Sequence, residues 1–359
     1  MRVVVVSHFV SPYQMELFDA IAQSKKFDLE VVYLHQTFHS RNWKRTIPLH
    51  KATYLDESAE RLGVVTEDVL KTDLAVFNYY AEPPAMSLLK ARASTGRPWC
   101  FWGERPGFRR LGKLGEVYRR YRLAALRRSR APIWGMGRWA VSQYQKEFGD
   151  KRAYFNVPYF SDLDRFQNYR KQQTGTNDRK TILFSGSLIK RKGADLLVDA
   201  FARLADRFDN VHLWLIGEGH LRAGLERQIR HLGDRVKFLG FQSWEDLPRY
   251  YSKADFLCAP SRYDGWNLAI PEGLSAGLPT VASDRTGAAL EFIRNGENGF
   301  LVPSGDVNEL YQALVKIVQL SSQELKVWSQ SASESIRGHK LANGVERFCE
   351  AAEATLRVF

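Results

Sequence analysis

Short, wholly apolar runs recur along the chain, each followed by a polar or glycine-bearing loop and then by a segment with helical spacing. Residues 2–6, RVVVV, open the series; a helix is expected over 13–22 and the next apolar run is 29–34. Runs that are apolar throughout, instead of alternating, fit strands buried on both faces of a parallel sheet, and strand–helix alternation is the pattern of a doubly wound α/β fold. Further strands are expected at 74–77, 98–102 and 133–135, with helices over 86–93 and 141–148, and residues 156–162 read as the exit strand of a first domain. Residues 36–60 are polar and irregular, a candidate acceptor-facing loop. The stretch 167–180, QNYRKQQTGTNDRK, has no large aliphatic residue and contains Gly175, which reads as a linker.

The same order then repeats. Strands are expected at 181–184, 211–216, 236–241, 256–259 and 280–282, with helices over 194–204, 221–232 and 247–252, another beginning at Glu291, and an amphipathic one over 306–318. This predicts residues 1–166 as one Rossmann-like domain and 181–340 as a second, with a last helix in 341–359. In such sheets ligands collect beyond the carboxyl ends of the strands, so the loop from His8 to Tyr13 is expected to face a site. It carries no G-x-G-x-x-G fingerprint, which counts against a dinucleotide in this half.

Two loops carry candidate chemistry. The first is Ser185-Gly186-Ser187-Leu188-Ile189-Lys190-Arg191-Lys192-Gly193, between a strand and a helix. Gly186 allows close approach of the backbone and the cations offset a diphosphate, so the loop reads as a phosphate cradle, a purely structural loop being the alternative. The second is 259–283, APSRYDGWNLAIPEGLSAGLPTVAS. Pro271 suits the first position of a helix, and the free amides of Asn267 and Leu268 would then face a phosphate. Asp264 and Glu272, with seven residues between them, would repel phosphate and suit sugar hydroxyls instead. The stretch reads as a holder for a ribose, a diphosphate and a second sugar; an ordinary strand–loop–helix unit with surface acids is the bland alternative.

This segment resembles the signature of the family 4 glycosyltransferases, retaining enzymes of GT-B fold whose pattern is Glu, seven residues, Glu, and the likeness runs from about Thr181 to about Val318. The resemblance implies two Rossmann-like domains facing an interdomain cleft, with a nucleotide sugar on the second and an acceptor on the first. Lys192 matches the family lysine, with Arg191 beside it in place of the arginine that relatives carry at Ser187. Glu272 would hold ribose hydroxyls, Asp264 the donor sugar, and the backbone near Gly240 and Phe241 the base. Gly186, Ser187, Gly217, Asn267 and Leu268 complete the implied nucleotide-sugar site. Glu104 stands where family members often place a histidine near the transferred sugar, and is expected to contact the sugar or acceptor; a salt bridge to Arg105 or Arg109 is the alternative. The final helix resembles the family's tail, which crosses back onto the first domain. Asp162-Leu163-Asp164 matches a metal-binding Asp-x-Asp only superficially, so no metal and no cofactor beyond the donor substrate is expected.

Composition adds a compartment and a partner. At 359 residues and 41.2 kDa the chain has room for two cores, and 44% hydrophobic content is that of a soluble globular protein. Three scattered cysteines, Cys100, Cys258 and Cys349, exclude a disulfide framework or a cysteine metal cluster and point to a reducing compartment. The opening MRVVVVSHFV is too short to span a membrane and lacks a cleavage site. The net charge of +12 is uneven: 31 Lys and Arg against 18 Asp and Glu in residues 1–180, but 21 against 22 in 181–359. Between Arg105 and Arg130 ten basic residues face one acid, Glu116, with Tyr118, Tyr121, Leu123 and Leu126 interleaved. That composition fits a helix on an anionic membrane surface or gripping a phosphorylated substrate, a solvated basic face being the alternative. Nucleic-acid binding lacks any supporting motif.

The expectation is a metal-independent retaining glycosyltransferase acting on a lipid-linked or polysaccharide acceptor in surface glycan biosynthesis, in the cytoplasm and peripheral to the inner face of the membrane. A GT-B nucleotide-sugar epimerase and a non-catalytic nucleotide-sugar-binding membrane adaptor are the alternatives.

Overall fold

Parallel pairing accounts for the uniformly apolar runs. A computed structural model describes residues 1–36, 47–57, 59–106, 112–170 and 179–359. They form two units, Met1–Asp162 with Leu341–Phe359, and Leu163–Lys340.

The first unit holds β1 (Arg2–Phe9), β2 (Asp28–His35), β3 (Lys51–Tyr54), β4 (Leu74–Phe77), β5 (Trp99–Gly103), β6 (Ile133–Gly135) and β7 (Tyr154–Asn156), in the order β3-β2-β1-β4-β5-β6-β7. Every pairing is parallel, and Val3 aligns with Leu29 on one side and Leu74 on the other. Val3 to Val6 are wholly buried, as a central strand covered on both faces requires. From β1 the chain runs outward through β2 and β3, then returns to the other side of β1, so the strand order reverses between β1 and β4. The helix Leu341–Leu356 belongs to this unit. Its Phe348 packs edge-on against Trp134 at 5.2 Å and Trp102 at 6.0 Å, and Thr355 accepts a 3.2 Å hydrogen bond from the Trp134 indole. A side chain at Gly344 would lie 2.5 Å from the Phe160 ring, so the helix approaches closely there.

The second unit holds β8 (Lys180–Ser185), β9 (Val211–Ile216), β10 (Val236–Gly240), β11 (Phe256–Ala259), β12 (Thr280–Ser283) and β13 (Gly299–Val302), again all parallel, in the order β10-β9-β8-β11-β12-β13. The helix Ala194–Arg207 buries Leu197, Phe201 and Leu204, a stripe at helical spacing, in a core shared with Leu314 and Ile317 of the helix Val307–Val318. Asp306 caps that second helix through its carboxylate, which accepts from the amides of Asn308 and Glu309.

Several boundaries differ from the sequence reading. The helix after β11 is Ala269–Ser275, so Pro271 is its third residue, still among the first four whose N–H has no intrahelical partner. Glu291 lies near the end of the helix Gly287–Phe292 instead of opening one. Strand β7 precedes the expected exit strand, and the helix Asp164–Arg170 takes the first four residues of the expected linker. Residues 171–178 of that linker lie outside the described residues, as do 37–46 of the expected acceptor-facing loop. Within 36–60 the chain forms β3, a short and only partly buried edge strand whose polar composition hides it. The helices Ala59–Lys71 and Ser322–Ser335 add to the expected elements, and Ser321 and Glu324 form a capping box at the start of the latter.

Candidate functional site

In the second sheet the strand order reverses between β8 and β11, and the two loops that carried candidate chemistry leave the carboxyl ends of these two strands. Such a reversal is where open α/β sheets bind ligands, because the following loops diverge and leave a crevice. After β8 the chain passes Gly186 and a single tight turn, Lys190–Lys192, then enters the helix Ala194–Arg207 through Gly193. Gly193 has φ 76°, and a side chain there would lie 2.1 Å from the Pro260 carbonyl, so only glycine lets the two loops meet.

The cations of the first loop converge on the acid of the second. Asp264 Oδ2 accepts from Lys192 Nζ at 2.6 Å and from Arg191 Nη1 at 2.9 Å. Burial works to raise the Asp264 carboxyl, but the two cations outweigh it and hold it below the ordinary aspartate value. Arg191 also donates to the Tyr263 carbonyl at 3.3 Å. The Asp264 backbone is fixed by its amide on the Arg285 carbonyl at 3.0 Å and by its carbonyl accepting from Gly287 at 3.2 Å. Arg262, two residues earlier, forms a two-pronged pair with Asp195 at 2.7 and 2.8 Å, tying the second loop to the helix that follows the first.

Asn267 has φ 72°, the left-handed region that asparagine tolerates better than most side chains, and its side-chain Nδ2 donates to the Ser261 hydroxyl at 3.4 Å. This bend delivers the chain to Leu268 and the helix that carries Glu272. Glu272 is buried, and its Oε2 accepts the Tyr251 hydroxyl at 2.7 Å. Burial and the adjacent Glu272 raise the Tyr251 phenol well above its ordinary value, and the same hydroxyl is hydrogen-bonded to Ser185 at the end of β8. Tyr251 was not among the sequence candidates; a tyrosine in a five-residue helix carries no signal until the fold sets it beside Glu272.

Three of the predicted glycines also come together. A side chain at Gly217 would lie 2.0 Å from the Gly186 carbonyl, and the Gly217 amide donates to Gly240 at 2.8 Å. Gly186, Gly217 and Gly240 thus line the adjacent ends of β8, β9 and β10, with Ser187 following Gly186 and the exposed Phe241 following Gly240.

Comparison with known proteins addresses this same half. Residues 179–319 match the family described as Glycosyl transferases group 1. The matched segment contains both loops described above. An alpha-D-kanosaminyltransferase of Streptomyces kanamyceticus is 29% identical over 181 residues, covering 49% of this chain and 47% of that protein. A GDP-mannose-dependent alpha-(1-6)-phosphatidylinositol monomannoside mannosyltransferase of Mycolicibacterium smegmatis is 29% identical over 195 residues, half of either chain (50% and 50%). The chain thus spans about half the length of the curated relatives it matches. Among solved structures, Anabaena HepE in complex with UDP superposes with a TM-score of 0.79 over 99% of this chain and 100% of its own, at 19% identity. That likeness identifies the fold as GT-B, two Rossmann-like domains with parallel sheets.

The remaining candidates lie in the first unit, outside the group 1 segment. Glu104 follows β5; its carbonyl accepts from Tyr144 at 2.6 Å and its carboxylate is hydrogen-bonded to the buried Tyr159. Arg105 stacks over the Trp139 ring at 3.3 Å, while Arg109 lies outside the described residues. His8, at the end of β1, is bonded to Glu82, which also bonds His35. The basic segment forms the helices Gly112–Arg122 and Ala124–Arg128. Its apolar residues divide: Leu123 and Leu126 enter the core, whereas Leu114, Val117, Tyr118 and Tyr121 are 70, 61, 53 and 76% exposed. Their spacing places all four on one helix face.

Proposed function

We propose that the protein is a retaining glycosyltransferase that moves a sugar from a nucleoside-diphosphate sugar to a lipid-linked or polysaccharide acceptor. The observation that carries this reading is the convergence of Lys192, Arg191 and Asp264 at the strand-order reversal of the group 1 segment. Breaking the sugar–oxygen bond builds negative charge on the departing diphosphate. Lys192, Arg191 and the amides around Asn267 and Leu268 stabilise that charge without a metal at the diphosphate. Asp264 holds both cations in place before the donor arrives, and this sets them where the charge develops instead of leaving them to reorganise. Through Oδ2 it serves the cations; among the described residues Oδ1 makes no hydrogen bond, and we assign it to a donor-sugar hydroxyl. Glu272, oriented by Tyr251, holds the ribose, while Gly186, Gly217 and Gly240 let the nucleotide approach the main chain. By analogy with the family that the segment resembles, a diphosphate oxygen takes the acceptor proton on the face from which it leaves, which retains configuration.

The acceptor is assigned to the first unit, with Glu104 beside it. The exposed apolar face of Gly112–Arg122 and the exposed cations Arg120, Arg127, Arg128 and Arg130 support peripheral binding to an anionic membrane surface at the cytoplasmic face. The mannosyltransferase relative, named for a phosphatidylinositol monomannoside, is consistent with a lipid-borne acceptor. No helix among the described residues is long and apolar enough to cross a membrane.

Thermal unfolding with UDP-, GDP- and dTDP-sugars tests the reading, since a tight ligand stabilises the folded state. One sugar nucleotide is expected to raise the midpoint and to be consumed with formation of a new glycoside. Lys192→Ala is expected to lower turnover by about 10²-fold or more with the fold intact. No shift with any donor, or near-normal turnover in the variant, overturns it.

A further inference from the structure

The first sheet has its own strand-order reversal, between β1 and β4, and three metal-type ligands stand at its carboxyl edge. His8 comes from the end of β1, His35 from the end of β2, and Glu82 precedes the helix Pro83–Ser94 that follows β4. His8 Nε2 lies 2.8 Å from Glu82 Oε1, and His35 Nε2 lies 2.7 Å from Glu82 Oε2. The ligand atoms of all three lie within 4.8 Å of one another. The two imidazoles sit at the carboxyl ends of adjacent parallel strands, with their ring centroids 5.6 Å apart.

We propose that His8, His35 and Glu82 form a binding site for a divalent cation of the zinc class. Two further observations distinguish this cluster from an incidental group of polar residues. Glu82 occupies the N-cap position of its helix, yet its side chain makes no capping bond and turns to the two imidazoles instead. Around it, Asp56 Oδ2 lies 3.8 Å from His35 Nδ1, the carboxylate behind the imidazole that commonly orients a ligating histidine, and Tyr79 stacks on His8 at 4.0 Å.

Two nitrogens and one oxygen suit zinc or cobalt over magnesium or calcium, which favour all-oxygen shells. A tetrahedral ion with bonds near 2.0–2.1 Å needs its ligands about 3.3 Å apart, within reach of the present spacing by small side-chain rotations. On binding, each Nε2 offers its lone pair, and any proton it carried shifts to Nδ1 or leaves to solvent. Three protein ligands leave a fourth position, and the exposure of His35 and Glu82 (39 and 32%) opens it to solvent or to an oxygen of a bound molecule.

Cobalt tests this directly. The full chain, stripped with a chelator and dialysed, is titrated with Co²⁺ while the visible absorption is recorded, and Zn²⁺ binding is measured by calorimetry. One equivalent of Co²⁺ is expected to give the bands of a four-coordinate nitrogen–oxygen site, displaced by Zn²⁺. His35→Ala is expected to abolish the bands, and Asp56→Asn to weaken Zn²⁺ binding by about 10-fold. Glu82→Gln, nearly identical in shape, replaces His35→Ala if circular dichroism shows the latter unfolded. Absence of stoichiometric binding to the parent chain, or binding unchanged in the folded ligand variants, overturns the site.

Discussion

Asp264 accepts from two cations through a single oxygen, so its contribution to stability depends on its charge. Its carboxyl is held below the ordinary value of 3.8, so the unfolded chain takes up the proton more readily than the folded one. The stabilisation is therefore present above pH 3.8 and is lost as pH falls through the lower, folded-state value. Asp264→Asn is expected to lower the unfolding midpoint at neutral pH, and the gap between variant and parent to shrink in titrations carried below pH 3.8. A gap that stays constant with pH means the ion pair is not what the substitution removed. The pairing of Asp264 with Lys192 crosses 71 intervening residues, and no local pattern announces it. What the sequence did show was each loop separately, since a glycine, a basic run and a helix start are local properties. Tyr251 was invisible for the same reason in reverse: its role exists only through a partner 21 positions away.

Between elements, one buried side chain does the work of a cap. Arg92, wholly buried in the helix Pro83–Ser94, donates to the carbonyls of Val69 and Leu70 at 3.0 and 2.9 Å, and to those of Asp73 and Pro98 at 3.2 and 2.7 Å. The first two lie at the end of the helix Ala59–Lys71, whose last carbonyls have no partner within the helix. Burial, followed by the nearby Arg97, lowers the guanidinium to about 10. Arg92→Met is expected to destabilise the protein by about 3 kcal/mol, because it strands several buried acceptors at once. Denaturant unfolding reads this out, and a change under about 1 kcal/mol would mean that water replaces the guanidinium. Element boundaries were less legible than element types. Apolar runs marked the central strands, whereas β3, an edge strand with little apolar surface to bury, and Ala59–Lys71 required the neighbouring strands to define them.

For the whole molecule, the excess positive charge of residues 1–180 has an outlet in the helix Gly112–Arg122. An apolar side chain leaving water contributes about 1.5–3 kcal/mol, so two such residues dominate a weak surface attachment. Leu114→Ser with Tyr121→Ser is expected to reduce co-sedimentation with phosphatidylglycerol vesicles by about 10-fold or more, with circular dichroism unchanged. Salt is expected to weaken binding of both proteins, because the exposed arginines contribute through screened attraction. Binding that is indifferent to anionic lipid defeats the membrane reading.

By itself the sequence determined the α/β class, the two runs of alternating strands and helices, and the two loops of the second half with their glycines, cations and acids. Those are short-range properties, expressed in periodicity, turn chemistry and motif spacing. Only the tertiary structure decided which side chains meet: Lys192 and Arg191 on Asp264, Tyr251 on Glu272, and His8 with His35 on Glu82. Parallel strands are joined by crossovers through helices, so residues adjacent at a sheet's carboxyl edge are separated in the chain, and strand order, which local pattern does not encode, sets their neighbours.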